Sequence, residues 1–156
     1  MARRTGPRTG GVQATMNAVK DRIETVVAEG LEERLADISY YATHTALSGG
    51  GRGTGVDTGA YVTSFSIGRA GFGGGRMKTS DNKPTNQNPD AMKQEGYSLL
   101  LSDIQGMNIK QMVESGDMRF TLRNRSPHAR DVEDGTSWPE TTEGYHVFTK
   151  IRKKFG

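Results

Sequence analysis

Residues 12–47 read VQATMNAVKDRIETVVAEGLEERLADISYYATHTAL, and this stretch decides the architecture. Met16, Val19, Ile23, Val26, Val27, Leu31, Leu35, Ile38 and Ala42 recur in it at steps of three and four, the spacing of one helix face. The Ser48-Gly49-Gly50-Gly51 run supplies the stop, because glycine takes the left-handed conformation that closes a helix. A helix from Val12 to Leu47 is roughly 50 Å long, whereas a compact chain of this size is about 40 Å across. Such a helix overruns its own domain. Two outcomes stay open: Gly30 breaks it, or the excess length packs on a neighbouring subunit.

Beyond the glycine run, Tyr61, Phe65 and Ile67 alternate with smaller residues and predict a strand that opens with a short helical turn. Residues 68–96 read as a long loop, rich in Gly, Asn and Lys, of a length that is normally functional or disordered. Inside its far end Pro89 opens a second helix running to about Gln105, with Met92, Leu99, Leu100 and Ile104 as apolar contacts and Gly96 as a weak point. Met118, Phe120 and Leu122 alternate with Arg119, Thr121 and Arg123 as a half-buried strand. Pro127 to Glu133 forms a short helix that Gly135 stops. The last segment fits two patterns. Tyr145, Phe148, Ile151 and Phe155 share a helix face, and Tyr145, Val147, Thr149 and Ile151 share a strand face.

The chain has 156 residues, one domain's worth, and is only 33% hydrophobic with 21 glycines. That leanness favours a protein with mobile segments, or one that completes its core against partners. Residues 1–11 read as a flexible basic arm carrying Arg3, Arg4 and Arg8, and residues 12–156 as a single α+β domain. A formal net charge of +3 is far from the signature of a dedicated nucleic-acid binder. Lys150, Arg152, Lys153 and Lys154 crowd the C-terminus while Glu29, Glu32, Glu33 and Asp37 make the first helix acidic, patches suited to contacts between copies. There is no cysteine, which excludes disulfides and thiol chemistry and fits a reducing cytoplasm as the place of synthesis. No apolar run is long enough to predict a signal peptide or a membrane span.

Two motifs stand in order behind the long helix: Val56-Asp57-Thr58-Gly59-Ala60-Tyr61-Val62-Thr63-Ser64, and Pro127-His128-Ala129-Arg130-Asp131-Val132-Glu133-Asp134-Gly135-Thr136. Together they resemble the two signatures of bacteriophage neck or tail-completion proteins, which join capsid and tail. His128 stands where that family usually has Tyr, and residues 68–96 exceed what the family needs. The resemblance implies a long N-terminal helix packed on a small antiparallel sheet, one further helix, and a C-terminal helix for the ambiguous last segment. It implies a structural role with no catalytic residue and no cofactor: a ring of six or twelve copies at the head-to-tail joint, in contact with portal or connector and tail proteins. DNA passes through such a ring, and the protein resides in the virion. It also places Glu133 near the subunit interface, as half of an inter-subunit ion pair or as a merely solvated carboxylate; the overlong helix, independently, makes Val26 and Leu35 the expected contacts to a neighbouring subunit.

Other chemistries are weaker. Asp57-Thr58-Gly59 has the aspartic-protease triplet, but that enzyme needs two such loops on a barrel, and a long helix fills the first third of this chain. Asp57, Thr58 and Gly59 read instead as a turn, with Asp57 accepting backbone N–H groups and Gly59 taking a conformation other residues resist. Glu133 and Gly135 read as a second turn. His44, His128 and His146, with Asp131, Glu133 and Asp134, match no metal-ligand spacing. Gly71 to Arg76 lacks the lysine and serine of a phosphate loop. Arg3, Arg4, Arg8, Arg69, Arg76, Lys78 and Lys83 are the expected contacts to DNA phosphates or to a neighbour. The alternative class is a small sequence-independent nucleic-acid-binding protein using the arm and the basic C-terminus.

Overall fold

Helix α1 runs unbroken from Thr9 to Tyr40, in a computed structural model that describes residues 9–47, 59–77, 88–135 and 144–156. Thr9, Gly10 and Gly11, expected in the arm, are therefore helical. Gly30 is no break, and a Cβ built there meets nothing within 4 Å. One π-helical turn, Tyr41–Thr45, continues the axis, with the Ala46 amide donating to the Tyr41 carbonyl at 2.8 Å. The wider turn keeps Ala42, Thr43, Ala46 and Leu47 all buried.

After Gly59 come the short helix α2, Ala60–Thr63, and strand β1, Phe65–Arg69. Helix α3 spans Pro89–Gly106, helix α4 Ile109–Ser115 and strand β2 Phe120–Asn124. Helices α5, Ala129–Asp134, and α6, Val147–Phe155, complete the order. The fold is α+β: a long N-terminal helix, a two-stranded antiparallel sheet and a C-terminal helix. Strand β1 pairs with β2 in the register Phe65↔Asn124, Ile67↔Leu122 and Arg69↔Phe120. Helix α3 is the hub, packed on α1, α2 and β1, while α4 braces α1 from the other end of the α3–α4 corner.

Local chemistry explains the boundaries. Asn88 caps α3 by accepting from the Asp90 and Ala91 amides, Pro89 taking the first helical position, where no amide is needed. Asn108 caps α4 through the Gln111 amide and Gly116 closes it at φ 75°. The short helical turn expected at the head of the first strand is α2, and β1 begins only at Phe65, because Gly59 in the left-handed region starts α2 and accepts the Thr63 amide and hydroxyl. Met118, expected in β2, lies before it and is exposed. The expected loop over residues 68–96 is shorter: Gly68 and Arg69 belong to β1 and residues 89–96 to α3.

The core gathers Leu35, Ala42, Leu47, Val62, Phe65, Leu100, Ile104, Ile109 and Val147. Gly96, which weakened the helix prediction, sits in α3 against the Val62 carbonyl, so its missing side chain is what lets α3 lie on α2. Two hydroxyls on the buried face of α1 are satisfied by the helix itself. Ser39 donates to the Leu35 carbonyl at 2.8 Å, and Thr43 to the Ser39 carbonyl at 2.9 Å.

Candidate assembly interface

Only the second half of α1 faces the core, while residues 10–23 are exposed all round. From Ala28 through Leu31, Leu35, Ser39 and Ala42 one side faces the core. In the first half Val12, Met16, Val19, Ile23, Val26 and Val27 are 38–66% exposed. At roughly 100° per residue, the 16 steps from Val19 to Leu35 leave the two side chains about 160° apart around the axis. The single apolar face expected over Met16–Ala42 is therefore two faces. Among the described residues the other exposed large hydrophobics, Tyr40, Met77 and Met118, lie outside this stripe.

Val26 and Leu35, expected together at a subunit interface, are thus separated. Val26 belongs to the exposed stripe, whereas Leu35 is 5% exposed in the core and cannot touch a second subunit. The stripe is flanked by charge: Lys20 pairs with Glu24 at 3.6 Å, and Asp21 receives the Lys110 ammonium of α4 at 2.6 Å. That second bridge ties the middle of α1 to the body on the side away from Val19 and Ile23.

Glu133, expected in an inter-subunit ion pair, is engaged within its own chain. Its Oε1 accepts from the Tyr61 hydroxyl at 2.6 Å and its Oε2 from the Phe148 amide at 3.3 Å. The carboxylate therefore joins α2 to α5 and occupies the amino end of α6, where unpaired amides and the helix dipole favour a negative charge. Burial, then the adjacent Glu133 charge, push the Tyr61 phenol far above its ordinary pKa. The Tyr145 and His146 amides donate to the Val132 and Glu133 carbonyls, and a Cβ on Gly144 would overlap the Glu133 and Asp134 backbone. Gly59 and Gly135 take φ 77° and 73° at their turns, while Asp57 and Thr58 lie outside the described residues.

Arg76, expected to contact DNA or a neighbour, closes the sheet instead. Its guanidinium makes two bonds to Asp103, at 2.8 and 2.7 Å, and donates from Nη2 to the Phe65 carbonyl at 2.7 Å. Asp103 in turn accepts the Ile67 amide at 3.1 Å, and the Phe72 amide reaches the Arg69 carbonyl. Three backbone groups on the edge of β1 that faces away from β2, the Phe65 carbonyl, the Ile67 amide and the Arg69 carbonyl, are thereby paired by groups other than a third strand. Among the described residues Arg76 Nε is the one buried side-chain polar atom left without a partner. Arg69 is exposed; Arg3, Arg4, Arg8, Lys78 and Lys83 lie outside the described residues.

This clamp has a testable consequence. Asp103→Ala leaves the guanidinium without its carboxylate and the Ile67 amide without an acceptor, and is expected to cost about 2 kcal/mol, the pair being only partly buried. Trypsin should cut after Arg76 faster in the variant than in the parent, with cleavage after exposed Arg69 as the internal standard. Equal rates at Arg76 would remove the clamp as the reason the 70–77 segment stays folded on β1.

The basic C-terminus is partly engaged within the chain. Lys150 donates to the Ala46 carbonyl at 3.0 Å, Lys154 lies over the Tyr41 ring at 4.6 Å, and Arg34 donates to the Phe155 carbonyl at 3.1 Å. His44 stacks on Tyr40 at 4.2 Å and meets the Tyr97 ring edge-on. Burial, then the Lys93 charge, hold its imidazole below the ordinary value. His128 Nδ1 is 3.9 Å from Asp131, and His146 sits at the start of α6 with φ 51°. Among the described residues no three His, Asp or Glu side chains converge as a metal site, and no helix is long and apolar enough to cross a membrane. No family model, no curated protein and no solved structure matches this chain.

Proposed function

We propose that this protein is a structural subunit that works as an assembly of identical copies, and that its place is the neck of a tailed phage particle. The observation that carries the first half is the stripe Val12–Val27, which leaves six large apolar side chains exposed on one helix. The second half is supported by the two motifs around Gly59 and Glu133-Asp134-Gly135, both of which build turns that hold the short elements α2 and α5 in place. On this reading a ring of six or twelve copies joins the capsid portal or connector to the tail, DNA passes through it, and no cofactor takes part. Contact with DNA is weak and indifferent to sequence. The nucleic-acid-binding alternative loses ground because Arg76, Lys150, Lys154 and Arg34 are engaged inside the chain.

Sedimentation of the purified protein, followed by quantification of its copies in purified particles, tests this reading. A closed multimer in solution and a matching stoichiometry at the head-to-tail joint are expected. A strict monomer at high concentration, absent from particles, would overturn it.

A further inference from the structure

The stripe has a finer pattern than hydrophobicity. Val12, Met16, Val19, Ile23 and Val26 follow one another at steps of four, three, four and three, a heptad with Met16 and Ile23 at a and Val12, Val19 and Val26 at d. Gly30 occupies the next a position and ends the seam by offering no side chain. We propose that Val12–Val27 packs against the same segment of further copies of this chain, in parallel and in register, as a bundle of more than two helices. The inference rests on the assembly reading above for the existence of a partner, and on neither the phage placement nor the copy number given there.

Three observations choose the occupant and its direction. Apart from the stripe, the described surface carries only Tyr40, Met77 and Met118 as exposed large hydrophobics, so the complementary apolar surface on another copy is the stripe itself. Coverage and charge then select orientation. An antiparallel pairing has two registers: the one that sets Met16 on Val26 leaves Val12 without a partner and brings Lys20 against the second copy's Lys20 and Arg22 against its Arg22, and the one that sets Met16 on Val19 avoids these pairs but leaves Val26 and Val27 uncovered. A parallel pairing in register covers all five layers, faces Thr15 with Lys20 and Arg22 with Val27, and no like charges meet. Valine at every d position is the third observation, because two-stranded parallel coils prefer leucine there and β-branched residues at d favour higher orders. Val27, at e, widens the seam in the same sense.

The chain has no cysteine, so single substitutions report geometry directly in the full-length protein. Under mild oxidation Met16→Cys should form a disulfide with its own counterpart. A mixture of Met16→Cys and Val26→Cys proteins should give no mixed disulfide, since ten residues of helix place those positions about 15 Å apart in a parallel bundle. Compared at a concentration low enough for the parent to be monomeric too, the variant carrying Val19→Asp and Ile23→Asp should keep the parent's circular dichroism and urea midpoint, both positions being exposed. Its association should be weakened at least about a hundredfold. A mixed Met16→Cys/Val26→Cys disulfide overturns the parallel register. Association that survives the double aspartate variant overturns the helix seam and leaves the assembly reading standing. A parent protein that never associates overturns both.

Discussion

Gly96→Ala is expected to destabilise the fold by about 3 kcal/mol, the upper end of what overpacking costs. A Cβ at residue 96 overlaps the Val62 carbonyl oxygen and comes within 3.1 Å of the carbonyl carbon and of Val62 Cγ2. The obstacle is backbone, so it cannot swing aside, and α3 must lift off α2. Since α3 also carries Asp103 and covers β1, the displacement reaches the sheet edge. Gly30→Ala is the matched control: the same atom added to a helix interior, with nothing within 4 Å. There alanine's lower unfolded-state entropy should stabilise by roughly 0.5–1 kcal/mol. Urea midpoints for the two variants should move in opposite directions at an unchanged slope. If both moved the same way, the close approach of α3 to α2 would not be what selects glycine at residue 96.

The second large effect separates Leu35 from Val26. Leu35→Asp places a carboxylate among Ala42, Leu47 and Leu100 with no cation in the core to receive it, and the loss should exceed about 4 kcal/mol, enough to unfold a marginal domain. Val26→Asp changes an exposed position and should leave the subunit's unfolding free energy within about 0.5 kcal/mol of the parent, while weakening association. Far-ultraviolet circular dichroism across a thermal ramp distinguishes the two. An unfolded Val26→Asp subunit, or a stable Leu35→Asp one, would reverse the assignment of the two faces of α1.

That assignment was the part of α1 the sequence hid. Its length was legible, because the three-and-four spacing is continuous and the glycine run follows. Its buried side was not, because Ser39 and Thr43 lie along it and a hydroxyl side chain does not count toward an apolar periodicity. Their hydroxyls turn back on the helix carbonyls and need no other partner. The strongest apolar run, Val12–Val27, is the one left in water. Strand β2 and helix α3 were legible from alternation and from the Pro89 start. Helix α4 was missed although Asn108 and Gly116 bracket it, seven residues being too few for periodicity to show. Glu133 and Arg76 were misread for one reason: their partners, Tyr61 and Asp103, are far away in sequence. A charged side chain in a polar segment looks solvated until the fold supplies the group it binds.

Mechanically, α1 is a cantilever. Its root, from Ala28 onward, is clamped by the core, and the Lys110–Asp21 bridge acts as a stay partway along. The arm beyond has no hinge, since Gly30 lies in regular helix and the axis is unbroken from Thr9 to Tyr40. A sideways load on the tip is therefore not absorbed by bending at a joint. It arrives as torque at the contacts with α3 and α4, and α3 holds the carboxylate that locks the edge of β1. Force applied at the exposed Val12–Val27 stripe is delivered to the Arg76 latch by the stiffness of one helix.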